Sequence, residues 1–360
     1  MLNRRAFLSG LTVSGLLPCA TWADAGAPDF LSAARAPDGR YRLAGLTRTG
    51  AMTFDVPLPG RGHAAAAHPS RPLAVAFARR PGTFAVVIDC ATGRQIATLD
   101  APAGRHFYGH GTFSADGTRL FTAENDFEAG QGIIGVWDTN TGFTRRGEFS
   151  SGGIGPHDVA LLPDGETLVV ANSGIETHPD TGRAKLNLPT MRPNLSYLAL
   201  DGRVLEQVEL APELHKNSIR HLAIRSDGAV AFAMQWQGES GTAPPLLAIH
   251  QRGTTPDLLS APKEQHRHLN GYAGSVAFST DGTSVAITSP KGGAAHIFDT
   301  KTKQIRDSFS SPDICGVGSK DAGFFFTTGQ GVVGHWKAHH LTQTDVSDLQ
   351  WDNHLVAISH

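Results

Sequence analysis

GIGPHDVALLPDGETLVVANSGIETHPDTGRAKLNL, residues 153–188, holds the two features that decide the fold: one unit of a repeat, and the one long interruption of that repeat. The unit is an apolar run, a small-Asp-Gly turn and a second apolar run, here VALLPDGETLVVANS (159–173). It returns as TFSADGTRLFTAEN (112–125), LAIRSDGAVAFAMQ (222–235) and VAFSTDGTSVAITS (276–289), and more weakly as AAAHPSRPLAVAFA (65–78) and VGSKDAGFFFTTG (317–329). Each copy spells two short strands joined by a tight turn, in which Asp caps its own backbone and Gly supplies a positive φ. Copies that recur about every fifty residues are the sequence signature of propeller blades.

Two more strands follow in each unit. The third reads FAVVIDCATG (84–93), IIGVWDTNTG (133–142), LSYLALDG (195–202), PLLAIHQRG (245–253) and AAHIFDTKT (294–302), each running into a fourth. Six units run from His63 to Gln350, and the chain ends complete a seventh. NHLVAIS (353–359) supplies its innermost strand, and FLSAARAPDG (30–39), YRLAGLTRTG (41–50) and AMTFDVPLP (51–59) supply the others. Such closure leaves no free sheet edge. The expected fold is all-β: a single seven-bladed β-propeller domain over 26–360, closed by N-terminal strands pairing with the C-terminal strand, with a long insertion at 172–194. Trp137-Asp138 is a single WD dipeptide, so this is not a WD-repeat protein.

Composition narrows the class of function. The 360 residues carry a formal net charge of −2 with no basic stripe, which argues against nucleic acid as a partner. Asn3-Arg4-Arg5-Ala6-Phe7-Leu8, followed by the apolar run 8–17, resembles a twin-arginine export signal, with a small-x-small cleavage site at Ala23-Asp24-Ala25. Residues 1–25 are therefore expected to be a signal peptide, and the mature protein a periplasmic monomer without a membrane span. Cys90 and Cys315 belong to units distant in the repeat, so no disulfide is expected between them.

The two faces of such a propeller differ. The turns inside each strand pair are bland: ADG, PDG, SDG, TDG, ATGR, NTGF and LDGR. The opposite face carries Glu124-Asn125-Asp126-Phe127-Glu128, the insertion 172–194, Gln235-Trp236-Gln237-Gly238 and Ser289-Pro290-Lys291-Gly292-Gly293. Loops on a rigid scaffold carry binding and catalysis, so this is the working face. Ten of the 17 histidines fall there: His63, His106, His110, His157, His178, His215, His221, His266, His268 and His354.

A register sharpens the selection. Relative to the turn aspartates at 116, 164, 227 and 321, His110, His157, His221 and Cys315 lie six or seven residues upstream. His63 and His354 open the inner strands of their own units. These six residues should ring the channel mouth, and several imidazoles with one thiol suit a transition metal such as iron, copper or zinc. Around them, Glu124, Asp126, Asn172, His178, Arg183, Lys185, Arg220, Gln235 and Gln237 are candidate ligand-binding residues, with Arg183 and Lys185 placed to clamp an anion. A histidine at a strand start also serves simply to hydrogen-bond a neighbouring blade. No nucleophile elbow, phosphate loop, dinucleotide fingerprint or haem-attachment motif is present.

The ordered set RHFYGHGTFSADG (105–117), GIGPHD (153–158), NSGIETHPDTGRAKLNL (172–188), SIRHLA (218–223), QWQG (235–238), GYAGSVA (271–277), SPKGG (289–293) and DICGV (313–317) resembles a family of twin-arginine-exported bacterial propellers of unknown function. Members are often encoded beside imelysin-type periplasmic proteins and di-haem peroxidase-like proteins. The resemblance implies a role around iron or other metal acquisition, with periplasmic metal-uptake proteins as partners, and supplies no catalytic residue. The leading expectation is a metal-handling accessory protein. The alternatives are a lactonase-like metal-assisted hydrolase or redox enzyme on the same face, and a protein-interaction platform.

Overall fold

The computed structural model describes residues 20–79, 83–345 and 348–358; the arginine pair and apolar run of the expected signal, and Cys19, lie outside them. The described strands form seven sheets arranged as a ring, six of four strands and one of five. Neighbouring strands within each sheet are antiparallel, as tight turns require. In chain order the blades are 62–100, 105–150, 156–209, 217–259, 275–310, 314–345, and the closing blade built from 30–58 with 350–357. They are called blades 1 to 7 below.

The strands pair because each turn does its local work. In blade 3, Asp164 accepts from the amides of Glu166 and Thr167 at 2.9 Å each, and Gly165 takes the positive φ that the turn demands. In blade 5, Asp281 accepts from the Thr283 amide and hydroxyl in the same way.

Between blades the packing is apolar. Seven buried clusters occur, and each joins two neighbours around the ring. Val75 and Phe77 of blade 1 meet Phe107 and Trp137 of blade 2; Tyr197 of blade 3 meets Phe232 of blade 4. Such seams exclude water on both faces of every blade and fix the spacing of the ring.

The closing blade departs from expectation in one respect. Its inner edge is two short pieces, Gln350–Trp351 and Val356–Ala357, rather than one continuous strand over 353–359. They pair with Arg35 and Ala34, and with Leu31 and Phe30. Between them Asp352 still donates its amide to the Ala33 carbonyl at 2.9 Å, while its carboxylate pairs with Arg61 (2.9 Å) and Arg79 (3.5 Å). The ordered fold also begins ahead of residue 26. Trp22 is buried in the seam between blades 7 and 1, and its indole N–H donates to the His68 carbonyl at 2.9 Å. Among the described residues no helix is long and apolar enough to cross a membrane.

Truncating a buried tryptophan costs about 3–5 kcal/mol. In protein that retains residue 22, Trp22→Ala is therefore expected to lower unfolding stability by about 3 kcal/mol in denaturant titration; a loss below about 1 kcal/mol would show that the blade 7–1 seam does not depend on it.

Candidate metal centre

Inner strands of a regular propeller alternate between the sheet faces, so side chains do not collect at the axis by default. Here five of them are broken by a bulge, and in four of these, blades 1 to 4, the bulge carries or adjoins a histidine. Pairing jumps from Gly62–Ala78 to Ala65–Ala76 in blade 1 and from Phe107–Glu124 to Gly111–Thr122 in blade 2. It jumps from Pro156–Asn172 to Asp158–Ala171 in blade 3 and from Ile219–Met234 to His221–Ala233 in blade 4. His63, His110 and His157 lie inside these bulges, and His221 follows the extra residue Arg220. His354 sits in the gap of the closing blade. Bulges re-aim side chains, and these aim five imidazoles at one place. Blade 2 needs glycine to do so: Gly109 has φ +102°, and a Cβ there would lie 2.5 Å from His63 Cδ2.

The rings are in mutual contact. Centroid separations are 4.6 Å for His63–His354 and His221–His354, 4.7 Å for His157–His221 and His110–His354, and 5.0 Å for His63–His110. Two overlapping triads, His63–His110–His354 and His110–His157–His221, each bring their ligand nitrogens within 4.8 Å of one another. One buried nitrogen on each of four rings, Nδ1 of His157 and His221 and Nε2 of His110 and His354, has no hydrogen-bond partner among the described residues, while Nδ1 of His63 faces the Asp352 carboxylate at 3.8 Å.

Burial keeps His63, His157, His221 and His354 in the form that binds metal. Burial pushes His63 down to about 4 from an ordinary 6.5, against the pull of Asp352. Burial likewise holds His157, His221 and His354 well below 6.5, helped by Arg220, Arg79 and one another. His110 is oriented differently: its Nδ1 lies 3.0 Å from the Asp158 carboxylate. Asp158 is itself fixed by the amides of Val159 (2.8 Å) and Leu222 (3.0 Å). A carboxylate on one ring nitrogen sets the tautomer and turns the other, as a lone pair, toward the cluster. Burial opposes ionisation of Asp352, but His63, Arg61 and Arg79 outweigh it and hold that carboxyl well below the usual range.

The cluster closes the central channel between two cavities. One, of about 420 Å³, is bounded by His110, His221 and His354 with the lower inner strands. The other, of about 320 Å³, lies at the mouth and reaches His63, His157 and His221.

Of the residues expected at the site, the structure brings His63, His110, His157, His221 and His354 together and leaves Cys315 out. Cys315 also lies in a bulge, but its thiol points into the blade 6–7 seam, within reach of the Thr327 and Trp351 carbonyls, and burial raises it to about 12. Cys90 and Cys315 are both buried and unbonded.

Arg183, Lys185, Arg220 and Gln235 line the mouth cavity, and Gln237 accepts from Lys185 beside it. Glu124 and Asp126 are not loop residues, because their strand runs on through Asp126. Glu124 is fully buried in a two-pronged pair with Arg145 (2.8 and 2.9 Å), and Asp126 pairs with Arg105. Asn172 is taken up by Ser151, Asn194 and Ser196, and His178 caps the turn at Asp180. Sequence reasoning missed Asp158, Asp352, Arg79 and Tyr272. Asp158 directly follows His157 and Asp352 precedes His354 by two, which was the available signal; nothing in the sequence marked Arg79.

The class defined so far is a seven-bladed β-propeller whose bulged inner strands gather histidines across its channel. Residues 56–358 match the family described as "Protein of unknown function (DUF1513)", and the chain belongs to that family. No curated protein matches the sequence. Among solved structures it is similar to the Kuenenia stuttgartiensis hydrazine synthase, at 16% identity and a TM-score of 0.58, over 87% of this chain and 94% of that one. At that identity the likeness is one of fold.

The depressed imidazoles make a prediction about stability. The unfolded chain takes up protons near 6.5, while burial holds His63 to about 4 and His157, His221 and His354 well below 6.5, so stability is full above 6.5 and falls as pH drops. Metal-free protein is expected to lose on the order of 1–2 kcal/mol per buried imidazole between about pH 6.5 and 5, above the range of carboxylate titration. Denaturant midpoints across that range would show a flatter profile for a His157→Gln/His221→Gln variant; identical slopes would contradict it.

Proposed function

We propose that this protein binds and handles a transition metal in the periplasm, reaching it by twin-arginine export. In this reading it serves metal acquisition as an accessory to periplasmic uptake proteins, with iron as the first candidate ion and copper or zinc as the others. One observation carries the reading: five buried imidazoles converge, and four of them carry a buried nitrogen without a hydrogen-bond partner among the described residues. A buried polar group left unpaired costs about 1–3 kcal/mol, and four at one point is a large penalty for a cluster with no other role. An ion that accepts those lone pairs removes the penalty, and metal binding of this kind supplies about 10 kcal/mol or more. Imidazole-rich donor sets suit iron, copper, nickel and zinc. The Asp158–His110 contact is the outer support that such ligands ordinarily have.

A second reading is catalysis on the same face. It is favoured by the mouth cavity, which gives a small substrate access to His157 and His221. Turnover of a lactone, ester or reductant panel that disappears in His157→Ala would support it.

The test of the main reading is elemental mass spectrometry on protein exported natively. Near-stoichiometric metal is expected, falling to background in His157→Ala/His221→Ala while the fold is retained. Protein that stays metal-free under titration with iron, copper and zinc would contradict the proposal.

A further inference from the structure

We propose that the cavity at the channel mouth is an oxyanion site, which holds a small, multiply charged carboxylate or phosphate against the imidazole cluster. The charge of its lining is one-sided: Arg79, Arg183, Lys185, Arg220 and Lys291 border it, and no carboxylate does among the described residues. These cations come from separate parts of the chain. Arg79 follows the second strand of blade 1, and Arg220 is the bulge residue of blade 4. Arg183 and Lys185 ride on the insertion, and Lys291 sits on the turn between the middle strands of blade 5. Gathering like charges into one concave space raises the local potential and draws anions.

Asp352, which pairs with Arg61, Arg79 and His63, does not border the cavity. Lys291 stands over the Tyr272 ring, 4.8 Å from its centroid, and Lys185 is steered toward the cavity by Gln237. Neutral donors complete the wall, since Asn353, Gln235 and the tyrosines Tyr108 and Tyr272 border the same space. His63, His157 and His221 border it on the side of the cluster. Guanidinium groups recognise planar, two-oxygen anions, and ammonium groups add point charge. A volume of about 320 Å³ fits a small organic anion rather than a polymer.

The insertion has a place in this account. Asn187 ties it down, with its side chain accepting from the Glu176 amide and donating to the Gly174 carbonyl, so that the exposed 183–185 stretch is held over the channel. The coupling to metal rests on the reading given above: an anion in this cavity covers the open side of the cluster, so that ion and anion bind as a pair.

Calorimetric titration of the mature chain with citrate and with inorganic phosphate, with and without added metal, tests the inference. Arg183→Glu/Lys185→Glu changes two exposed residues outside the apolar seams. It is expected to weaken citrate binding roughly thirtyfold or more, as loss of two charge-assisted contacts implies, without altering the melting point or the uptake of aquo metal ion. His110→Ala/His354→Ala, two members of the cluster outside the mouth cavity, is expected to lose metal yet keep citrate binding in the metal-free state. Citrate and phosphate that both fail to bind, or that bind the charge-reversed variant equally well, would overturn the anion site. Metal binding without anion binding would sink this inference alone; anion binding without metal would support it and sink the metal reading.

Discussion

The few hydrogen-bonded pairs between the two ends of the chain hold everything else in register. Phe30 and Leu31 face Ala357 and Val356, and Ala34 and Arg35 face Trp351 and Gln350. A propeller has no single core; it has seams, and each is stable only if both its blades are present. Closure completes the seventh seam, where Phe30 stacks on Phe325, and so fixes the width of the channel. It also delivers His354 and Asp352 from the C-terminal end to face His63 from the first blade. The five histidines come from blades 7, 1, 2, 3 and 4, a contiguous arc of the ring. Blades 5 and 6 place Ser275 and the core-facing Cys315 at the corresponding level.

Within that ring the bulges convert a structural strand into a site. Pairing defects at one level of neighbouring strands give up ladder hydrogen bonds and gain nothing in apolar burial, since the residues they turn inward are imidazoles. The surrounding charges add to that cost by disfavouring imidazolium, with Arg220 and Arg79 adjacent to the cluster. Buried and crowded, four of them with a nitrogen that has no hydrogen-bond partner among the described residues, the rings are arranged for a ligand that accepts nitrogen lone pairs. Above them, the mouth is arranged for negative charge. The two halves of the site act in the same direction: burial holds His63, His157, His221 and His354 in the unprotonated form, and the cations at the rim add to it.

Much of this was legible in the sequence, and the reasons differ by feature. The blades were readable because a small-Asp-Gly turn between apolar runs is a local signal, decided by residues adjacent in the chain. The ring histidines were readable because their offset from that turn is nearly constant. Cys315 shares the offset yet faces the other way, because the direction of a side chain in a bulge depends on what fills the neighbouring seam, here Trp351 and Phe325. Glu124 and Asp126 looked like a loop because strand length is set by pairing with 131–138, which polar residues do not announce. Asp158 and Asp352 act across blades, on His110 and His63, and contacts between distant segments leave little trace in one sequence.

X-ray absorption spectroscopy on the natively exported protein addresses the central claim most directly, because it reads the donor atoms. The account expects nitrogen donors at about 2.0–2.2 Å with the outer-shell pattern of imidazole and no sulfur contribution. A sulfur donor near 2.3 Å, or a metal bound only by oxygen, would place the ion away from the histidine cluster and contradict it.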